Sequence, residues 1–94
     1  MTGRIIICDD EEGMRNYLSK LIGSWGYETE SFASPIEMLK SFELREVSDD
    51  LLLLDIRMED QDGIETLKQL KERSSQPTVI MMTGMCAVIK FFLS

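Results

Sequence analysis

Two short apolar runs, each ending in acid, constrain this chain more than any other feature. Arg4-Ile5-Ile6-Ile7-Cys8 runs into Asp9-Asp10, and Leu51-Leu52-Leu53-Leu54 ends at Asp55. Runs of this length are too short to span a membrane and suit strands buried on both faces. A carboxylate at the tip of a buried strand packs poorly, but it is useful chemistry where the strand ends at an open crevice. Parallel strands bring their carboxyl ends to one edge of a sheet, so both runs point to a single shared acidic site.

The rest of the chain alternates strand and helix. After the first strand, Met14, Tyr17, Leu18, Leu21, Ile22 and Trp25 recur at helical spacing, with Gly26 as a C-terminal stop. Trp25 is expected in the core. Tyr27 to Phe32 read as a short, half-exposed strand. Ser34-Pro35-Ile36-Glu37 opens a second helix: Ser caps, Pro fits the first helical position, and Glu completes a capping box. Met38, Leu39 and Phe42 supply its buried face. Leu51 to Asp55 is the third strand. Residues 57 to 62 form a polar loop, Gly63 sits at a helix entrance, and Ile64, Leu67 and Leu70 make the next apolar stripe. Ser74-Ser75-Gln76-Pro77 is a turn, and Thr78 to Thr83 is the fourth strand, closed by Gly84. This order implies an α/β fold, a doubly wound parallel sheet with right-handed crossovers. The tail from Met85 to Ser94 is almost wholly apolar, and its periodicity fits a helix or a strand.

Composition narrows the function. A chain of 94 residues with 44% apolar content makes one domain around one core. The net charge of -7 argues against direct nucleic-acid binding and favours a cation or a basic protein surface. With no His, there is no Ser-His-Asp chemistry, no His-ligated zinc and no phosphohistidine in this chain. Cys8 and Cys86 form no CxxC pair, and a buried structural thiol at Cys8 fits a reducing, cytoplasmic setting. No apolar stretch reaches the roughly 18 to 20 residues of a membrane helix.

Three gathered carboxylates repel one another unless a cation offsets them. Mg2+ prefers oxygen ligands and keeps positions open for water or phosphate. Asp9, Asp10 and Asp55 would hold it, and a carboxylate oxygen of Asp55 would accept a phosphoryl group as an acyl-phosphate. Thr83, ending the fourth strand at the same edge, could place its hydroxyl on a phosphoryl oxygen and turn the new charge into a packing change. Singly, each residue has a plainer reading. Asp9-Asp10-Glu11-Glu12 is a favourable acidic first turn for the helix that follows, Asp55 a loop acid or cap, and Thr83 a strand end. The combination at one edge is more specific than its parts.

Those residues resemble the receiver domains of two-component response regulators. The matching pieces are Ile5-Ile6-Ile7-Cys8-Asp9-Asp10-Glu11, Leu53-Leu54-Asp55-Ile56-Arg57-Met58, Asp62-Gly63-Ile64-Glu65 and Pro77-Thr78-Val79-Ile80-Met81-Met82-Thr83-Gly84. The wording is similar to that of receivers in transcription activators. The resemblance implies a flavodoxin-like sheet of strand order 2-1-3-4 and phosphorylation of Asp55 by a sensor histidine kinase. It also implies Mg2+ held by Asp10, Asp9, Asp55 and the main-chain carbonyl of Arg57, with Thr83 as the switch hydroxyl. Such a domain is a signalling switch and not an enzyme. Two departures stand out. Glu59 takes the place of a usual Pro. A complete receiver also continues through a fourth helix, a fifth strand ending in Lys-Pro and a fifth helix, so residues 1–94 read as one truncated receiver without that Lys.

On this resemblance residues 86 to 93 are expected as helix, with a fifth strand the alternative on composition. An open fourth-strand edge would recruit other strands. The chain is therefore expected to form a homo-oligomer through that edge and the C-terminal tail. Two other functions are weighed against the switch. One is a non-phosphorylated interaction or dimerisation module. The other is an Mg2+-dependent aspartyl-phosphate hydrolase, disfavoured because Arg57 stands where such enzymes commonly place a second Asp.

Overall fold

The computed structural model describes residues 3–56, 63–83 and 86–92, with side chains at 3–56 and 63–82. The elements follow in the order β1 (Ile5–Cys8), α1 (Glu12–Ser24), β2 (Thr29–Phe32), α2 (Pro35–Phe42), β3 (Leu51–Asp55), α3 (Gly63–Lys71), β4 (Thr78–Thr83) and β5 (Cys86–Phe92). They build one sheet of order β2-β1-β3-β4-β5. The first four strands are parallel and stand in the expected order 2-1-3-4.

The tail departs from expectation. Residues 86–92 form a strand antiparallel to β4, pairing Val79 with Phe92 and Ile80 with Phe91, with an irregularity between Met81 and Thr83. Helix was expected there. The β-branched and aromatic residues of Val88-Ile89-Lys90-Phe91-Phe92 suit a pleated surface, and an open strand edge lay within reach. The β4 edge expected to recruit a second copy is thus paired within the chain, and β5 becomes the outer strand on that side.

Strand alternation sends side chains to two unequal faces. On one face Ile6, Cys8, Leu52, Leu54, Val79 and Met81 pack with Met38 and Phe42 of α2, Val47, and Leu67 and Leu70 of α3. On the other, Ile7 and Leu53 pack with Ile22 of α1, flanked by partly buried Ile5, Leu18, Leu51, Ile80 and Met82. Among the described residues α1 alone supplies a helix to this second cluster. Trp25, expected in the core, is therefore 64% exposed, and Tyr17, in the first half of α1, is exposed as well. Ile64 likewise leaves the α3 stripe for solvent, whereas Leu67 and Leu70 are buried.

The helix ends obey local chemistry. Gly26 adopts φ +93°, which other residues resist, and so lets the chain leave α1 for β2. Ser34 Oγ accepts from the Ile36 N–H at 3.1 Å, with Pro35 in the first turn of α2. Glu37 makes no return bond to close a capping box among the described residues. At the C-terminal end of α3 the Gln76 amide donates to the carbonyls of Lys71 and Arg73, both at 2.8 Å.

A buried acid at the opposite edge from Asp55 sets the strand starts. Asp50 Oδ1 accepts from the Arg4 N–H at 3.0 Å, and Arg4 Nε lies 3.8 Å from Asp50 Oδ2. The Asp50 carbonyl accepts from Thr78 N–H, and Leu51 N–H donates to the Arg4 carbonyl. One residue therefore fixes where β1, β3 and β4 begin. Removing a buried charged acceptor strands its donors, at a cost of about 2 kcal/mol. Asp50→Ala is expected to lower the unfolding free energy by that amount, read in urea as a lower midpoint at unchanged slope, while Asp49→Ala, on the exposed neighbour, leaves the unfolding free energy within about 0.5 kcal/mol.

Candidate functional site

Register builds the site. Cys8 pairs with Leu54, and Asp55 pairs with Met82. Asp9, one step past Cys8, therefore comes level with Asp55, and Asp10 and Thr83 follow one step beyond at the same edge. Two backbone bonds prolong the strands to this point: Asp9 N–H to the Phe32 carbonyl at 3.1 Å and Ile56 N–H to the Met82 carbonyl at 2.9 Å.

The three predicted acids converge. One carboxylate oxygen from each of Asp9, Asp10 and Asp55 lies within 4.8 Å of the others. Asp9 and Asp55 are only 6% and 8% exposed, while Asp10 faces solvent. Two desolvated carboxylates beside a third make a strongly negative pocket. The neighbouring Cys8 thiol registers that field. Its pKa is pushed up to about 12, first by burial and then by Asp9, Asp55 and Asp10, with Arg15 opposing.

The donor set fits a hard divalent cation. Octahedral Mg2+ binds oxygens at about 2.0–2.1 Å, so its ligand atoms stand about 3 to 4 Å apart. Asp9, Asp10 and Asp55 would hold the ion. The Arg57 carbonyl, the other expected ligand, lies outside the described residues, as does the side chain of Thr83. Its backbone ends β4 at the site edge, as expected.

Two local features went unread in the sequence. Asp9 does double duty: its Oδ1 accepts the Glu11 N–H at 2.9 Å and so fixes the turn into α1, where the Glu11 side chain makes no cap. Gly63 has a steric reason to be glycine. A Cβ there would lie 2.7 Å from the Asp55 carbonyl oxygen and 2.7 Å from Ile56 Cα, both backbone atoms that cannot swing aside. The Gly63 N–H also donates to the Ile56 carbonyl at 2.6 Å. The signal available was a poor helix former at a helix start, where Ser, Asp or Ala fit better.

Comparison with known proteins agrees. Residues 5–90 match the model of the response regulator receiver domain. The chain belongs to that family. Over 85 residues it is 35% identical to the regulatory protein AtoC of Escherichia coli, covering 90% of this chain and 18% of AtoC. Over 84 residues it is 35% identical to the sporulation initiation phosphotransferase F of Bacillus subtilis, covering 89% of this chain and 66% of that protein. Among solved structures, the response regulator TrrA of Thermotoga maritima, crystallised with Mg2+-BeF, superposes with a TM-score of 0.76 at 28% identity. That match covers 87% of this receiver and 70% of TrrA. No helix among the described residues is long and apolar enough to cross a membrane.

Gly63 yields a direct test. Gly63→Ala forces the Asp55–Ile56 backbone to move and is expected to cost about 1–3 kcal/mol. Thermal melting measures the loss, and amide shifts in NMR spectra are expected to change most at Asp55 and Ile56. Gly23→Ala, where a new Cβ meets open space, is the control without such an effect.

Proposed function

We propose that this receiver is a phosphoacceptor switch. Asp55 takes a phosphoryl group from a sensor histidine kinase, with Mg2+ held by Asp9, Asp10, Asp55 and the Arg57 carbonyl. The observation that carries the reading is the convergence of three carboxylates at the strand ends, two of them buried. The Mg2+-BeF complex of TrrA, a related receiver, supports the same cation here.

In the transfer, a carboxylate oxygen of Asp55 attacks phosphorus. The bond from phosphorus to the donor nitrogen or oxygen breaks, and its electron pair leaves with the donor. Mg2+ held by these carboxylates would offset charge on the phosphoryl oxygens. Asp9, pinned by the Glu11 N–H, keeps its carboxylate beside Asp55, and exposed Asp10 leaves the pocket open to a donor. Thr83, at the end of the adjoining strand, is the group proposed to sense the new charge through its hydroxyl.

Acetyl phosphate with Mg2+ is expected to add one phosphoryl mass to the intact chain. The gain is lost in Asp55→Ala and suppressed by excess EDTA. Mass spectrometry showing no adduct on the wild-type chain, although it binds Mg2+, would defeat the switch and favour the interaction module.

Self-association is a second reading, favoured by two observations. β5 is an edge strand, and the face over Leu51, Ile80 and Met82 receives no second helix among the described residues. A homo-oligomer would then form through the outer edge of β5 and the tail. Light scattering at micromolar concentration is expected to give at least a dimer mass; a monomer contradicts it.

A further inference from the structure

Arg15 sits where a cation is unwelcome. The N-terminal turn of a helix carries partial positive charge and favours acids, and Glu12 in the same turn satisfies that preference. Arg15 nonetheless turns its guanidinium back past the helix start. Its Nη1 donates to the main-chain carbonyl of Asp9 at 2.8 Å. Asp9 is thus gripped twice from the start of α1, at its carbonyl by Arg15 and at its carboxylate by the Glu11 N–H. These bonds bracket the peptide that turns the chain from β1 toward the helix, and Asp10 follows directly on it.

We propose that Arg15 is a positioning residue of the acidic site. By anchoring the Asp9 carbonyl it fixes the orientation in which Asp9 and Asp10 present carboxylates beside Asp55 to a divalent cation. This rests on the reading of the site as Mg2+-binding, and it concerns a residue that touches neither the cation nor the phosphoryl group.

Charge and anchoring act in opposite directions, which makes the proposal decidable. A guanidinium near a cation site repels the cation, so an Arg15 that were only a bystander would weaken Mg2+ binding, and its removal would tighten it. An Arg15 that positions the ligands strengthens binding, and its removal loosens it. Outer groups that orient metal ligands are typically worth tenfold or more in affinity.

The experiment is calorimetric titration of Mg2+ into the metal-free chain, with folding checked by thermal melting. Arg15→Met is expected to raise the Mg2+ Kd about tenfold. Arg15→Lys keeps the charge but loses the planar fork and is expected to fall between Met and wild type. Lys20→Met, which removes an exposed charge from the same helix, is expected not to weaken binding. An Arg15→Met Kd at or below the wild-type value overturns the proposal. So does an Arg15→Lys Kd equal to wild type, should the Met variant fail to fold. Failure of the wild-type chain to bind Mg2+ at all would overturn the metal site itself, and this proposal with it.

Discussion

In-register parallel pairing of β1 with β3 is the constraint on which the rest depends. Ile5 to Cys8 stand opposite Leu51 to Leu54 without a slip, so the acids that follow each run arrive level. A shift of one residue would turn every side chain of a strand to the other face. It would also separate Asp9 from Asp55. The register is set from the far edge, where Asp50 ties the starts of β1 and β4 through its carboxylate and its carbonyl. Structure at one end of the sheet thereby serves chemistry at the other.

The two faces of the sheet differ in depth, and this shapes both stability and accessibility. The face beneath α2 and α3 carries the larger cluster of buried side chains, among them fully buried Phe42, whose ring lies 5.6 and 5.8 Å from the guanidinium groups of Arg45 and Arg73. The face beneath α1 is thinner and leaves Trp25 and Tyr27 at the rim of an apolar hollow lined by Ile5, Ile22, Leu51 and Leu53. Burial of apolar surface is the main favourable term in folding, so the first face contributes more of it. The acids lie at the strand ends, where the sheet holds buried Asp9 and Asp55 close to exposed Asp10.

Much of this was legible in the sequence because strand periodicity and strand-end acids are local signals. The bounds of β3 and β4, the helix start at Ser34-Pro35 and the stop at Gly26 all follow from residues read in place. The three carboxylates could be gathered on paper because parallel topology has one carboxyl edge. What escaped depended on contacts distant in sequence. Trp25 looked like core because its helix face is apolar, but the number of helices covering the sheet decides whether that face is buried. The periodicity of the tail fitted helix or strand and the resemblance favoured helix, but the neighbouring β4 edge made it a strand. The close approach of Gly63 to the Asp55 backbone, and the reach of Arg15 to the Asp9 carbonyl, are distances that no residue pattern encodes.

Replacement of Mg2+ by paramagnetic Mn2+ tests the central claim most directly. Sub-stoichiometric Mn2+ added to the isotope-labelled chain is predicted to broaden the amide signals of Asp9, Asp10 and Asp55 first, while those of Arg4 and Asp50 at the opposite edge stay sharp. Broadening centred instead on Glu43, Glu65 and Glu72, in the groove between α2 and α3 that Lys68 and Arg73 also line, or broadening with no preference, would contradict the account.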